Sequence, residues 1–597
     1  MFGGALHQAL CSAGRVGRLV IGFKSSKRYA MDLFADIRDL VVASLDAMVA
    51  QGDLTDGLDY SAIDLEPPKD AAHGDMACNA AMVLAGPAGR DARLIAQGLA
   101  DLLIADPRIA LADVAGPGFL NITIAAGVWP DVIGAILRSG ADYGRVDIGT
   151  GTRVNVEYAS AYPTGPLHVS YARGAVVGDV LARLLAHMGH SVTREYFVND
   201  GGPQVGALAR TVYLRYLQAH GRDVALPDEG LPGAYLIKVG AALKDSVGAA
   251  YLDLPESAWM AELRAFSTDG MMTLIRADLA ALGIEMDVYF AESTLHETGR
   301  IEAAVDELTT RGLIYEGALE SDPDTQQTLF KSTDFGDDTD RPVKTSDGRW
   351  TYFAPDLAYH FDKIARGFDV LINVFGADHG AYVKRMKAAV CALSDGRVAH
   401  DIKLCKLVRL TKEGAPFTAS PEPGGVLSVG DLVEIMGRDA LRFHLTMRRP
   451  DAVLALDLDD GLEPVLQNPA FAVQYVHARA CQRLVQAGFS PDDLSGISPP
   501  GKGDAVDGTL AAKLSDWPRI MRLAAELREP YRIAGYLVEL SELFHEISSA
   551  AAMGDEIPPS DGDGDRVNSK TGQAAAVKIV ISTGLAIMGI TPAREMR

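Results

Sequence analysis

Residues 154–198 constrain the fold more than any other stretch of the chain. VNVEYAS, from Val154, is rich in β-branched and aromatic residues, and the turn Pro163-Thr164-Gly165-Pro166 ends it. A helix is predicted from about His168 to Met188, because Ala172, Val176, Val180, Leu184 and Leu185 recur at helical spacing and turn one face inward. Gly189 stops that helix, and VTREYFV is the next strand. Strand, helix and strand in this order form a β-α-β unit of the doubly wound kind. Where such a strand feeds a helix through a Pro/Gly turn, the helix N-terminus offers unpaired N–H groups and a positive dipole end, suited to phosphate. His168 stands at that entrance, although a lone histidine there is more often a cap or packing residue than a catalyst.

The rest of the chain arranges itself around this unit. From Met31, Leu33, Phe34, Ile37, Leu40 and Val41 recur at helical spacing. A second helix is predicted from about Asp91 through Leu103, and VAGPGFLNITIA reads as a strand entered through a Gly-Pro-Gly turn. These make a small α+β domain over 31–130. Further strands are expected at WTYFA and VLINVFG, with the parallel-sheet domain spanning 150–455. Beyond Asp457 strand signals stop, and PAFAVQYVHARACQRLVQ, LAAKLSDWPRIMRLAAEL, IAGYLVELSELFHEISSAAA and AAVKIVISTGLAIMGI predict an all-α bundle over 456–597. The predicted class is multidomain α/β, as a chain of 597 residues is too long for one core.

Composition excludes some roles. The five cysteines are scattered without a CxxC pair, so neither a zinc site nor a redox dithiol is expected, and a reducing compartment follows. No apolar run reaches the roughly 18 residues needed to span a bilayer. A net charge of -23 argues mildly against nucleic acid as a partner, yet Arg438, Arg442, Arg448 and Arg449 offer a local basic stretch, or simply a solvated helix face. Residues 1–30 hold Arg15, Arg18, Lys24, Lys27 and Arg28 and no acid, as in a weak transit peptide. Met31 opens a more ordinary pattern, so an extension ahead of the true start is the preferred account.

The string VNVEYASAYPTGPLHVSYARGAVVGD resembles the segment of arginyl-tRNA synthetases whose helix begins with the class I HIGH tetrapeptide, here His168-Val169-Ser170-Tyr171. The resemblance continues through EYFVNDGGPQV, the stretch from DFGDDTD to KRMKAAV, GRDALRFHLTMRR and NPAFAVQYVHARA, covering essentially everything from Met31. It implies a class I Rossmann-like catalytic domain, a small N-terminal domain that contacts tRNA (HGDMACNAAMVLA and AGPGFLN), and an all-α anticodon-binding bundle named for the motif matched by Asp439-Ala440-Leu441-Arg442. The implied partners are L-arginine, ATP with Mg2+ and tRNA(Arg), with no resident metal, in a cytoplasmic protein that is monomeric as the family usually is. The implied arginine pocket is Glu157, Ser160, Tyr162, Tyr352 and Asp356, carboxylates being suited to a guanidinium fork. The implied ATP site is Pro163, Gly165, His168, Ser170, Gly376, Asp378 and His379, with His168, Tyr171, Lys412 and Ser420 as catalytic candidates and Arg442, Arg448 and Arg449 as tRNA contacts.

The chain departs from the family at the nucleotide motifs. The family has His-Val-Gly-His where this chain has Ser170 and Tyr171, and asparagine where it has Tyr162. The Lys-Met-Ser-Lys loop is matched by Thr418-Ala419-Ser420-Pro421, leaving only the serine, and Lys412 is the nearest stand-in for the lost cations. Loss of one well-placed transition-state donor costs on the order of a hundred- to a thousandfold in rate. The expectation is therefore an arginine-tRNA ligase, with an impaired paralogue that binds tRNA or arginine in a regulatory role as the alternative. A synthetase for another amino acid is disfavoured by Glu157, Tyr352 and Asp356.

Overall fold

The structure is a computed structural model and describes residues 31–227, 231, 233–417, 427–459, 461, 464–501, 503–552 and 569–596. Residues 1–30 lie outside the described residues, as does the tetrapeptide Thr418-Ala419-Ser420-Pro421. The described chain falls into two compact units, one within 148–463 and one joining residues up to 147 with those from 464 onward.

The first unit is built on five parallel strands: β1 (Arg153–Glu157), β2 (Ser191–Val198), β3 (Val288–Ala291), β4 (Val370–Gly376) and β5 (Ala399–Cys405). Their order is β5-β4-β1-β2-β3, every neighbouring pair being parallel. The chain builds outward from β1 to β3 on one side and then returns to place β4 on the other. The strand order therefore reverses at β1/β4, which is where doubly wound sheets hold ligands, beyond the carboxyl ends of the strands. The crossover from β1 is α1 (Val169–His187), whose buried side includes Ala172, Val176, Val180, Leu184 and Leu185, as the periodicity predicts. A Cβ on Gly178 would fall 2.3 Å from the Tyr158 ring, so glycine lets α1 lie close over the end of β1.

Around the sheet run α2 (Glu256–Ala281), α3 (Phe353–Ala365), α4 (Tyr382–Ser394), α5 (Val429–Met436) and α6 (Arg438–Thr446). An antiparallel sheet of Ile314–Leu319, Asp322–Phe330 and Arg341–Lys344 is inserted between β3 and β4. The strand expected at WTYFA is not formed. Trp350 makes only an isolated bridge to Lys344, and Phe353 and Ala354 open α3. Phe353, Ala354, Leu357 and Ala358 are buried at three-and-four spacing, and Pro355 in the first turn forfeits no helical hydrogen bond, so helical packing overrides aromatic strand propensity.

In the second unit, Leu65–Glu66, Met76–Cys78, Phe119–Ile124 and Ile109–Ala115 form an antiparallel sheet in that order. VAGPGFLNITIA thus spans two strands, hinged at Gly116 and Gly118, both with positive φ. The helices Leu33–Ala50 and Ala92–Leu103 are capped by Asp32 and Asp91. The C-terminal helices are Pro469–Gln486, Gly508–Ser515, Trp517–Glu526, Tyr531–Ala552 and Ser569–Ile587. LAAKLSDWPRIMRLAAEL breaks at Asp516 because Pro518 belongs at the start of a helix. The Tyr143 hydroxyl donates to the Leu514 carbonyl at 3.2 Å and the Trp517 indole donates to the Tyr143 carbonyl at 3.1 Å, tying the early and late parts of this unit together. Among the described residues no helix is long and apolar enough to cross a membrane.

Candidate active site

The last residue of β1, Glu157, sits opposite Asn373 of β4, on the line where the strand order reverses. Its carboxylate is buried and already engaged. Oε2 accepts from Lys363 Nζ at 2.6 Å and from Asn373 Nδ2 at 2.7 Å, and Oε1 accepts from Ser160 Oγ at 3.1 Å. Lys363 comes from α3, is fully buried and lies 4.1 Å from the centre of the Tyr359 ring. The resemblance placed Glu157 among the residues lining an arginine pocket, with carboxylates suited to a guanidinium fork. In the structure one of its oxygens is already held by an internal cation, so it is not free to form both arms of such a fork. Ser160 is likewise tied in, its Oγ accepting from Phe197 N–H at 3.1 Å and its carbonyl from Asn199 Nδ2. Between the two, Ala159 takes φ 63°, a left-handed conformation that a non-glycine residue holds only when its surroundings fix it.

Beside this floor stands an acidic wall. Asp356, in the first turn of α3, makes no side-chain hydrogen bond or ion pair among the described residues. Its carboxyl is pushed well above the usual range, by burial first and then by the negative charges of Glu292 and Glu157. Glu292, one residue past β3, is raised too, chiefly by burial. Tyr162 feels both charges and is half exposed. Tyr352 is 72% exposed, and its hydroxyl accepts from Arg385 at 2.7 Å. Glu292 has His296 3.8 Å away and the Gly201 N–H as partners, whereas Asp356 has no ion pair among the described residues and stands open to a cation from outside. Sequence reasoning missed Glu292, whose only local signal is its place just beyond a short strand.

On the nucleotide side, His168 is the N-cap of α1, its Nδ1 accepting from Ser170 N–H at 3.2 Å and lying 2.9 Å from Ser170 Oγ. Partial burial lowers its pKa, so the ring is held neutral and capable of accepting these bonds. Ser170 thus turns its hydroxyl back into the cap. Tyr171 is partly exposed, with its phenol raised by burial and by Asp378. In the preceding turn Pro163 is buried, and a Cβ on Gly165 would come 2.6 Å from the Tyr235 hydroxyl, which donates to the Thr164 carbonyl at 2.8 Å. Gly376 ends β4, and a Cβ there would strike Asp378 Oδ1 at 2.3 Å; Asp378 and His379 are exposed, 3.7 Å apart.

The remaining candidates separate. Lys412 is exposed in Val408–Lys412, the middle strand of a small sheet with Ala415–Pro416 and Leu454–Asp457. Ser420 lies outside the described residues. Arg442 is fully buried: NH2 contacts Asp179 at 2.6 Å and NH1 donates to the Leu282 carbonyl at 2.9 Å. That burial removes it from the candidate RNA contacts and makes it a pin between α6 and α1. Arg448 and Arg449 do have exposed side chains, while their carbonyls accept from the buried Arg173.

With this geometry, the comparisons fall into place. Three family models match in chain order: "Arginyl tRNA synthetase N terminal domain" over 35–124, "tRNA synthetases class I (R), catalytic domain" over 132–235, and "DALR anticodon binding domain" over 473–596. A curated arginine–tRNA ligase of Ruegeria pomeroyi is 54% identical over 581 residues, covering 95% of this chain and 100% of the relative. The chain belongs to the arginyl-tRNA synthetase family. A second relative, the arginine–tRNA ligase of Roseobacter denitrificans, is 52% identical over 585 residues, with the same coverage of both. The fold is also that of the Thermus thermophilus arginyl-tRNA synthetase, with a TM-score of 0.71 at 20% identity over 94% of this chain and 100% of that one. The tetrapeptide Asp439-Ala440-Leu441-Arg442 lies ahead of the region matched by the anticodon-binding model, within the unit that carries the parallel sheet.

Proposed function

We infer that this chain is an arginine-tRNA ligase: arginine's carboxylate attacks the α-phosphate of ATP, pyrophosphate leaves, and the arginyl group passes from the adenylate to the 3′-terminal ribose of tRNA(Arg). The observation that carries the arginine assignment is the unpartnered Asp356 carboxyl beside Glu292. A guanidinium supplies the charge and the paired N–H donors that Asp356 lacks. Tyr162 borders the same acids, Tyr352 holds Arg385, whose charge reaches Asp356, and the Glu157–Lys363 pair orients Ser160. ATP, carrying Mg2+ on its phosphates, lies in this proposal over the Pro163–Gly165 turn and Gly376, with Asp378 and His379 alongside and His168, Ser170 and Tyr171 at the helix entrance. Lys412 and Ser420 serve the pyrophosphate side. Little covalent help is required, so rate comes from positioning and charge neutralisation. Arg448 and Arg449 contact tRNA phosphates, residues 31–130 and 456–597 bind the tRNA body and anticodon, and the enzyme acts as a cytoplasmic monomer.

Charging of tRNA with labelled arginine tests this reading. The purified protein is run beside a variant carrying Ser170→Gly, Tyr171→His, Thr418→Lys, Ala419→Met and Pro421→Lys. Arginyl-tRNA formed by the unaltered chain supports the ligase; none above background from that chain overturns it.

A further inference from the structure

Asp278, near the end of α2, is buried where two distant segments meet. Its Oδ2 accepts from the Leu167 N–H at 2.7 Å and its Oδ1 from the Gly430 N–H at 3.1 Å. Leu167 immediately precedes His168. Gly430 lies in the first turn of α5, which Ser428 caps through a reciprocal pair with Asp431. The same two segments are joined by backbone: Val169 N–H donates to the Leu427 carbonyl at 3.2 Å, Val429 N–H to the Leu167 carbonyl at 2.8 Å, and His168 bridges Ser428. A Cβ on Gly430 would lie 2.9 Å from Asp278 Oδ1, so only glycine leaves the carboxylate where it is.

We propose that Asp278 is a positioning residue for adenylate formation, its two oxygens pinning the His168 entrance of α1 to the N-terminus of α5 so that both segments meet the nucleotide in one geometry. The proposal rests on the ligase reading. Two acceptor oxygens are essential to it. An amide has only one, so Asp278→Asn must turn a donor towards one of the two N–H groups and break that half of the clamp. Gly430→Ala breaks the other half by displacing Oδ1, while alanine is the better helix former and favours α5 itself.

The test measures arginine- and tRNA-dependent ATP–pyrophosphate exchange for the full chain, Asp278→Asn, Gly430→Ala and the double variant, with thermal unfolding of each. Misplacement of reacting groups by about an ångström costs up to about a hundredfold, so each single variant is expected to lose about ten- to a hundredfold in kcat. KM for arginine stays within about twofold, the Gly430→Ala melting temperature does not fall, and the double variant is no worse than the poorer single, as for two cuts in one clamp. Unchanged kcat in Gly430→Ala, additive losses in the double variant, or a loss seen only as raised KM for arginine overturns the proposal alone. An unaltered chain with neither exchange nor charging overturns the ligase reading and this proposal with it.

Discussion

Beneath the ends of β1 and β4, Glu157 has a buried cation of its own; on the adjoining helix, Asp356 has none. The charge of Glu157 lies close enough to raise the cost of ionising Asp356, yet the two carboxylates serve different ends. Lys363 and Asn373 neutralise and fix Glu157, which in turn orients Ser160. Asp356 is left with burial and the charges of Glu292 and Glu157, which an arriving guanidinium relieves, while Glu292 leans on His296. The difference separates a carboxylate that belongs to the fold from one that waits for a ligand, and it can be broken or sharpened experimentally.

The largest expected effect is on the floor. Lys363→Met leaves Glu157 buried without its cation and should cost about 3–5 kcal/mol of stability, as breaking a buried ion pair does. Adding Glu157→Gln should recover most of that loss. Denaturant unfolding of the unaltered chain and the two variants measures it, and a double variant as unstable as Lys363→Met alone would sink the pairing argument.

On the wall the effect moves from stability to binding. Asp356→Asn removes a charge-assisted contact worth about 1.5–3 kcal/mol, so KM for arginine should rise about ten- to a hundredfold. Stability should hold or improve, because Asp356 makes no side-chain hydrogen bond or ion pair among the described residues that the change would break. Steady-state exchange kinetics and melting curves read the two quantities; a lower melting temperature with unaltered KM would reverse the roles assigned to Asp356 and Glu157.

A pH series sharpens the same contrast. The folded-state pKa values of Asp356 and Glu292 are raised, so both take up protons at higher pH than ordinary carboxylates, whose pKa lies near 4. Arginine favours the ionised forms, so KM for arginine should climb as pH falls through the raised values, and Asp356→Asn should flatten that climb. For the free protein the sign is opposite. The raised pKa values favour the folded state below the ordinary carboxylate range, and that contribution is lost as pH rises through them. Protection by bound arginine should therefore be greatest above the raised values.

The smallest effect is expected at the nucleotide entrance. Ser170→Gly removes the hydroxyl held 2.9 Å from His168 Nδ1 but keeps the backbone N–H that the ring caps. KM for ATP should fall by up to about fivefold, the scale of about 1 kcal/mol that a single neutral hydrogen bond is worth. No change in KM for ATP would mean that Ser170 does not stand in the base's approach.

How far the sequence could be read depended on the range of the interaction. The α1 periodicity, the Gly189 stop, the helix start near Asp91 and the parallel unit around the PTGP turn are local patterns, and they appear where they were predicted. WTYFA was misread because a five-residue aromatic run carries no period long enough to tell a strand from the first turn of a helix. Arg442 was misread because a run of arginines says nothing about which of them faces Asp179.

By itself the sequence determined the α/β class, the strand-turn-helix that begins the site, and membership of the arginyl-tRNA synthetase family. Backbone periodicity, turn chemistry and matched segments are all written within short windows of chain. Only the tertiary structure decided which carboxylate has a partner. Glu157 meets Lys363 across 206 positions, Asp179 meets Arg442 across 263, and Leu167 meets Asp278 across 111. The charge state and availability of a buried group depend on neighbours that the fold brings together, and no local pattern in the chain encodes them.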